Sequence, residues 1–432
     1  MSGNTFSPAG AMRLAMCIPV MCSLLLSACN PATSATATPP AGVQTAAAPR
    51  SFYETTFERR PTPKELAELG KALFFETALS ASGKMACASC HSPAHAYGPA
   101  NALPVQLGGA QMQTQGVRAV PSLTYRQHTP PFNEHYSDND GNDSEDQGPT
   151  GGNTWDGRVS SVHEQAQLPL LSPMEMANAD PASVVHRLQQ SPSAARMREA
   201  FGPHVLDNTE KAWNGLLWAL EVFQQSPEDF YPYSSKYDAF LRGQVQLSPQ
   251  ELRGLKAFND PQKGNCASCH ISAIRRGAFP DFTDFGHIAL GVPRNPHIAA
   301  NANKEWNDMG LCGPIRTDLT DHKEYCGRFK TPSLRNVAQR QSFFHNGVYH
   351  SLEQAVAFYV LRDTQPGKIY PRNAKGQVQK FDDLPQDRQT GINDEAPFGG
   401  EPGDKPALST AEIRDVVAFL RTLNDGYKPP VR

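Results

Sequence analysis

The alternation of apolar and polar positions divides the chain before any side-chain chemistry is considered. Near the amino end Arg13 precedes an apolar run, Leu14 to Leu26, too short to span a bilayer comfortably. An Ala/Thr/Pro-rich, nearly uncharged stretch follows, from Asn30 to about residue 50, and reads as a flexible tether. Beyond it the pattern turns helical, and it does so twice. Thr62-Pro63-Lys64-Glu65-Leu66 and Ser248-Pro249-Gln250-Glu251-Leu252 each offer a cap, a proline at the first helical position and a glutamate that closes a capping box. Each leads into an apolar stretch with Gly-x-x-x-Phe, Gly70 to Phe74 and Gly254 to Phe258. Later helices are predicted over Ala212 to Phe223 and Ser409 to Leu423. In the second, Ile413, Val416, Val417, Leu420 and Leu423 recur at helical spacing.

Length agrees with this duplication, because 432 residues exceed the usual limit for one hydrophobic core. A Pro- and Tyr-dense segment, Gln225 to Gly243, marks the boundary. The predicted organisation is a signal segment over 1–28, a linker over 29–54, and domains over 55–240 and 241–432. A hydrophobic fraction of 39% supports packed cores, and a net charge of −3 lacks the basic footprint of a nucleic-acid binder. Nine cysteines is an odd count, and their clustering does not suit a plain disulfide framework.

Three of those cysteines belong to the amino end. Leu26-Ser27-Ala28-Cys29 matches the lipobox of bacterial lipoproteins, so cleavage before Cys29 would discard Cys17 and Cys22 and leave Cys29 lipidated. Asn30 after that cysteine, rather than aspartate, resembles outer-membrane sorting. An ordinary signal peptide cut elsewhere is the alternative. Either reading puts the mature chain outside the cytoplasm, and the lipobox reading puts it on the periplasmic side of the envelope, touching the membrane only through its anchor.

Four more form a repeated motif. Cys87-Ala88-Ser89-Cys90-His91 and Cys266-Ala267-Ser268-Cys269-His270 fit c-type haem attachment. Thiols at i and i+3 add to the haem vinyl groups, and the adjacent histidine presents its imidazole to iron. One such motif alone could be a zinc half-site. Two in an exported chain point to two covalently attached haems. The expected fold is mainly α, with two cytochrome c-like domains in tandem, one haem in each, and long loops.

The chain resembles the bacterial di-haem cytochrome c peroxidases, more closely their MauG-like branch, over roughly residues 55 to 430. Trp155-Asp156-Gly157-Arg158, Glu164-Gln165-Ala166, Pro169 and Met174-Glu175-Met176 follow the family's order and spacing. Phe329-Lys330-Thr331-Pro332-Ser333-Leu334-Arg335-Asn336 and Phe343-Phe344-His345-Asn346-Gly347 match its later signature. The resemblance implies hydrogen peroxide activation at the first haem and electron relay at the second. It implies Trp155 as the relay between haems, and Gln165 and Glu175 as the distal pair with glutamate as acid/base. A carboxylate in a poorly hydrated pocket suits that proton shuttle. Pro169 would pack on the same distal face. Taken singly, each has an ordinary structural reading, as a core aromatic or a solvated polar position.

The resemblance also bears on iron ligation. Where many relatives place a blocking histidine, Leu103 to Gln111 has none and Gly109 stands at the matching place, so the first haem is expected to be open. His95 is too close to His91 to swing round and reads as a surface or propionate contact. For the second haem the candidates are Tyr359, in Phe358-Tyr359 after Leu352-Glu353-Gln354-Ala355-Val356, and Met309, the only methionine after residue 197. The MauG-like pattern favours Tyr359, whose alternative is a helix-face core residue. A phenolate favours high oxidation states of iron. An inter-haem calcium stays open, since Ala119 replaces the family's asparagine while the Arg340 and Ser342 carbonyls remain. The acidic loop Asp138 to Asp146 lacks an EF-hand glycine and reads as a solvated insertion. Cys312 and Cys326 are expected to pair in an oxidising compartment.

The leading functional expectation is a peroxidase that withdraws electrons from a small periplasmic redox protein or from a protein substrate. The competing class is a non-catalytic di-haem electron-transfer lipoprotein with both irons closed.

Overall fold

Two capping boxes start the helices on which the fold is built. Helix α1 (Pro63–Phe74) begins where the Thr62 N–H donates to the Glu65 carboxylate at 2.8 Å and the Glu65 N–H donates to Thr62 Oγ1 at 3.3 Å. The Ser248 and Glu251 pair repeats this, at 2.7 and 3.3 Å, ahead of the helix Pro249–Asn259. The computed structural model describes residues 51–136 and 147–429. The signal segment, Cys29, the tether up to residue 50 and the acidic loop Asp138 to Asp146 lie outside the described residues.

Among the described residues, eight helices have nine or more residues. They are α1, α2 (Val162–Leu171), α3 (Pro181–Gln190), α4 (Ser193–Phe201), α5 (Thr209–Phe223), α6 (Pro249–Asn259), α7 (Leu352–Leu361) and α8 (Thr410–Arg421). Strand structure is confined to two short antiparallel pairs. β1 (Leu107–Gly108) meets β2 (Thr114–Gln115), and β3 (His287–Ala289) meets β4 (Arg328–Lys330) with Ile288 opposite Phe329. Long loops make up the rest, so the fold is mainly helical.

Two apolar cores form within a single compact unit that starts at Ser51. The first gathers buried residues from Leu66 to Phe230, and the second those from Tyr237 to Leu423. Each is centred on a close helix crossing that glycine makes possible. A Cβ on Gly70 of α1 would lie 1.9 Å from the Ala219 carbonyl oxygen of α5, and one on Gly254 of α6 would lie 1.9 Å from that of Asp415 in α8. The phenylalanine four residues on packs edge-to-face across each crossing, Phe74 on Phe223 at 5.5 Å and Phe258 on Phe419 at 5.2 Å. The duplicated Gly-x-x-x-Phe is therefore a packing motif.

Packed chain begins earlier than the linker read over 29–54 would place it. Phe52–Glu54 forms a short 3-10 turn, the Phe52 ring stacks on His163 at 3.8 Å, and the Tyr53 hydroxyl donates to Glu221 at 3.0 Å. Two aromatic rings give this segment the apolar area that the preceding tether lacks. In the second half a disulfide joins Cys312 to Cys326. The loop it closes lies against β4, with the Leu311 N–H donating to the Arg328 carbonyl at 3.1 Å.

Substituting Gly70→Ala or Gly254→Ala places a methyl group inside a neighbouring backbone. The expected cost is about 1–3 kcal/mol, because overpacking against main chain outweighs alanine's better helix propensity. A lowered denaturation midpoint of the holoprotein checks this, and midpoints at or above that of the unaltered protein contradict it.

Candidate active site

Each Cys-Ala-Ser-Cys-His segment coils so that its histidine turns back on its own first cysteine. The His91 N–H donates to the Cys87 carbonyl at 2.9 Å, and the His270 N–H to the Cys266 carbonyl at 2.8 Å. His91 Nδ1 donates to the Tyr97 carbonyl at 2.9 Å, and His270 Nδ1 to the Phe282 carbonyl at 2.9 Å. A carbonyl can only accept, so the proton sits on Nδ1 and the Nε2 lone pair is left for a metal. Burial pushes the His91 imidazole down to about 4 and lowers that of His270 as well, so both rings are neutral at ordinary pH.

Both histidines line one cavity of about 660 Å³, and Cys90, Cys266 and Cys269 share its wall. Cys87 is partly buried against the first core, and none of the four cysteines forms a disulfide. Gly264 completes the second cradle, where a Cβ would come within 3.0 Å of Cys266 Sγ. Paired thiols beside a neutral, oriented imidazole on a largely apolar cavity fit covalently attached haem.

Gln165, Pro169 and Glu175 line the same cavity. The first two lie on α2, whose amino end is fixed by the Ser161 and Glu164 capping box. Glu175 lies just beyond, in a turn where its N–H donates to the Ser172 carbonyl at 3.0 Å. The Glu175 side chain is open to the cavity, yet the protein enclosing it raises the carboxyl above the ordinary range, while a hydrogen bond from Ser172 and the charge of Arg158 pull it back. The histidine-free stretch packs directly on this turn. The Gly109 N–H donates to the Glu175 carbonyl at 2.8 Å, and a Cβ on Gly108 would fall 2.3 Å from the Met174 carbonyl oxygen. His95 stands apart, half-buried, with Nδ1 at 3.2 Å from Ser92 Oγ.

Trp155 lines the cavity too, its Nε1 donating to the Ala119 carbonyl at 2.7 Å. An ion-pair network fixes both partners of that bond. Arg118 binds Asp308 through Nε and Nη2, at 2.6 and 2.7 Å, and Asp156 through Nη1 at 2.6 Å. Asp156 also takes Arg158 at 2.9 Å, and its side chain is wholly buried. The two surrounding arginines hold its carboxyl well below the usual range. The sequence motif contains Asp156 and Arg158 but does not reveal this network, because Arg118 and Asp308 lie 190 positions apart. Position 119 offers calcium no side-chain ligand. Ala119 presents a methyl group, its carbonyl is engaged by the indole, and Arg340 adds a cation.

On the other side of the cavity, Tyr359 projects from α7 among Phe344 at 5.9 Å and Phe398 at 5.6 Å. Burial raises its phenol above the ordinary range, and the Cys266 and Cys269 thiols lie within electrostatic reach. Met309 is not part of the cavity wall. Its backbone is held in the disulfide loop, accepting from the Gly327 N–H at 2.9 Å and donating to the Gly313 carbonyl at 2.8 Å.

The sequence model of the family described as di-haem cytochrome c peroxidase matches residues 64–246. The methylamine utilization protein MauG of Paracoccus denitrificans is 35% identical over 396 residues, covering 87% of this chain and 92% of the relative. Cytochrome c551 peroxidase of Pseudomonas aeruginosa is 28% identical over 320 residues, covering 73% of this chain and 76% of the relative. The crystal structure of the diheme peroxidase BthA from Burkholderia thailandensis superposes with a TM-score of 0.75 at 36% identity, covering 88% of this chain and 90% of that one. Likeness at this level, sustained across both motif-bearing halves, makes the chain a member of the MauG-like di-haem cytochrome c peroxidases, peroxide-acting oxidoreductases that use haem.

Proposed function

We propose that this protein reduces hydrogen peroxide at the site built on His91 and draws the electrons from a protein partner through the site built on His270. The observation that carries the reading is a single cavity whose wall contains both histidines, Glu175, Trp155 and Tyr359. Cys87, Cys90 and His91 would hold the first haem, and Cys266, Cys269 and His270 the second, with Tyr359 as its other iron ligand. Bound haem supplies a redox-active iron at which peroxide is reduced.

The chain's own groups supply the rest. Glu175 takes the proton from one peroxide oxygen and delivers it to the other, so that the second oxygen departs as water. A carboxyl whose proton affinity is raised by its poorly hydrated surroundings suits both halves of that transfer. Gln165 orients the peroxide beside it. Over a turnover two electrons and two protons convert hydrogen peroxide into two waters. Trp155 relays the electrons, with its indole N–H fixed on the Ala119 carbonyl. The Gly108–Gly109 contact with the glutamate turn supports an open first site, since no side chain projects from that stretch there. Tyr359 is preferred over Met309 because it lines the cavity and Met309 does not.

The repeated glycine crossings and histidine turns support reading residues 55–240 and 241–432 as cytochrome c-like domains. The lipobox supports a lipid anchor at Cys29 on the periplasmic side of the outer membrane. Among the described residues no helix is long and apolar enough to cross a membrane. The electron source is a small periplasmic redox protein or a side chain of a protein substrate, with the Tyr359 site favouring the latter.

With two haems retained, Glu175→Gln is expected to slow the peroxide reaction about 10²–10⁴-fold, read by stopped-flow absorbance; an unchanged rate removes the shuttle assignment. The carboxylate form accepts the first proton, so activity falls as pH drops through a value above the ordinary glutamate pKa. That acid limb is expected to vanish in Glu175→Gln. Tyr359→Ala is expected to alter the optical and magnetic spectrum of the second haem, and Met309→Ala to leave it unaltered. The reverse pattern assigns the ligand to Met309.

A further inference from the structure

The enclosed cations of this protein divide into two groups. Arg118, Arg158, Arg294, Arg335 and Arg362 each meet an aspartate, at 2.6 to 3.2 Å. Arg126, Arg340 and Lys330 do not. Arg126 donates to the side-chain oxygens of Asn153 and Gln224, Arg340 to the Val120 carbonyl at 3.0 Å, and Lys330 Nζ to the Gly152 carbonyl. All of these acceptors are neutral, and among the described residues none of the three cations forms an ion pair.

Their surroundings make that absence costly. Burial alone pushes both guanidiniums down to about 10. Burial and the charge of Arg126 push the Lys330 amine down to about 7, against a weaker opposing pull from Asp156, which is already shared by Arg118 and Arg158. All three sit deep in protein yet remain only partly buried, because their free surface opens on the cavity. An enclosed charge without a counter-ion is strongly unfavourable. The aspartates of the cavity wall offer no relief, since Asp308 is taken by Arg118 and Asp383 by Arg294. The three also belong together. Arg126 and Arg340 both act on the His91 imidazole, and Lys330 lies within electrostatic reach of Arg126.

We propose that Arg126, Arg340 and Lys330 form a carboxylate-binding cluster that receives the propionate groups of the haem carried by Cys87, Cys90 and His91. The inference rests on the di-haem reading of the cavity. Haem attached through its vinyl groups has one edge fixed at the two thiols, and its two propionates leave from the opposite edge. Guanidiniums hold carboxylates through paired N–H donors, and a lysine adds a point charge. Three cations facing two carboxylates leave a net positive field at that edge. The field favours the reduced, less positively charged iron, so the cluster both seats the macrocycle and raises the potential of the first site.

Spectroelectrochemistry on purified holoprotein tests this, after a pyridine haemochrome count on each sample. A wild-type chain that carries fewer than two haems overturns the di-haem reading and this inference with it. With two haems present, Lys330→Met and Arg340→Met are each expected to shift the reduction equilibrium of the first haem toward the oxidised form about tenfold, or about 59 mV. Arg340→Lys is expected to recover most of the Arg340→Met shift, which a purely structural role would not produce. Unchanged first-haem potentials in both methionine variants, with two haems bound, overturn the cluster and leave the di-haem reading standing. Where a variant fails to fold, the wild-type resonance Raman spectrum decides. Propionate bending bands of hydrogen-bonded carboxylates are expected, and bands of free, solvated propionates overturn the proposal.

Discussion

Asp156 is the constraint on which the rest of the molecule depends. Its carboxylate is wholly buried, receives Arg118, Arg158 and the Thr154 hydroxyl, and leaves its own carbonyl for Arg316 at 2.8 Å. Arg118 continues the network to Asp308 of the second half. Withdrawing one partner from such a set leaves an uncompensated buried charge, worth roughly 3–5 kcal/mol, so the halves are held in one relation. Trp155 precedes Asp156, and Ala119 follows Arg118. The hydrogen bond between that indole and that carbonyl is thereby set by ion pairs on both sides. The network specifies an arrangement more than it adds stability, since desolvating its members offsets much of their attraction.

Within this frame the halves repeat closely on one side and diverge on the other. Gly70 and Gly254, Phe74 and Phe258, Phe223 and Phe419, and the two motif histidines hold equivalent places. The walls facing those histidines have nothing in common. One carries a turn with a carboxyl open to the cavity and a glutamine, and the other a helix with a phenol among aromatic rings. Packing conserves the scaffold because a methyl group at either glycine would meet backbone. The facing walls are loops and helix faces whose residues can change without disturbing the crossing.

The duplication was legible because its signals are local. Caps, a proline at the first helical position, Gly-x-x-x-Phe and Cys-x-x-Cys-His each occupy a few consecutive residues. Gln165, Glu175, Trp155 and Tyr359 were legible only as a joint pattern, and all four line one cavity. What escaped reading was built by long-range closure. Arg118 meets Asp308 across 190 positions, and Arg126, Arg340 and Lys330 meet only around the cavity. Lys330 lies inside the Phe329 to Asn336 signature, and the resemblance gives Arg340 a role through its carbonyl alone. No spacing rule distinguishes a cation that faces an aspartate from one that faces a void. The aromatic pair at Phe52 and Tyr53 was passed over because composition averaged it into the tether.

The bonds that orient the two imidazoles end on main-chain oxygens, those of Tyr97 and Phe282. A side-chain acceptor could be lost by one codon change, whereas a peptide carbonyl survives replacement of the residue that bears it. Orientation of the iron-facing nitrogen is thus insulated from point variation at the position that provides it. A single exchange on an opposing wall can then alter what faces the imidazole while the orientation of that imidazole stays in place.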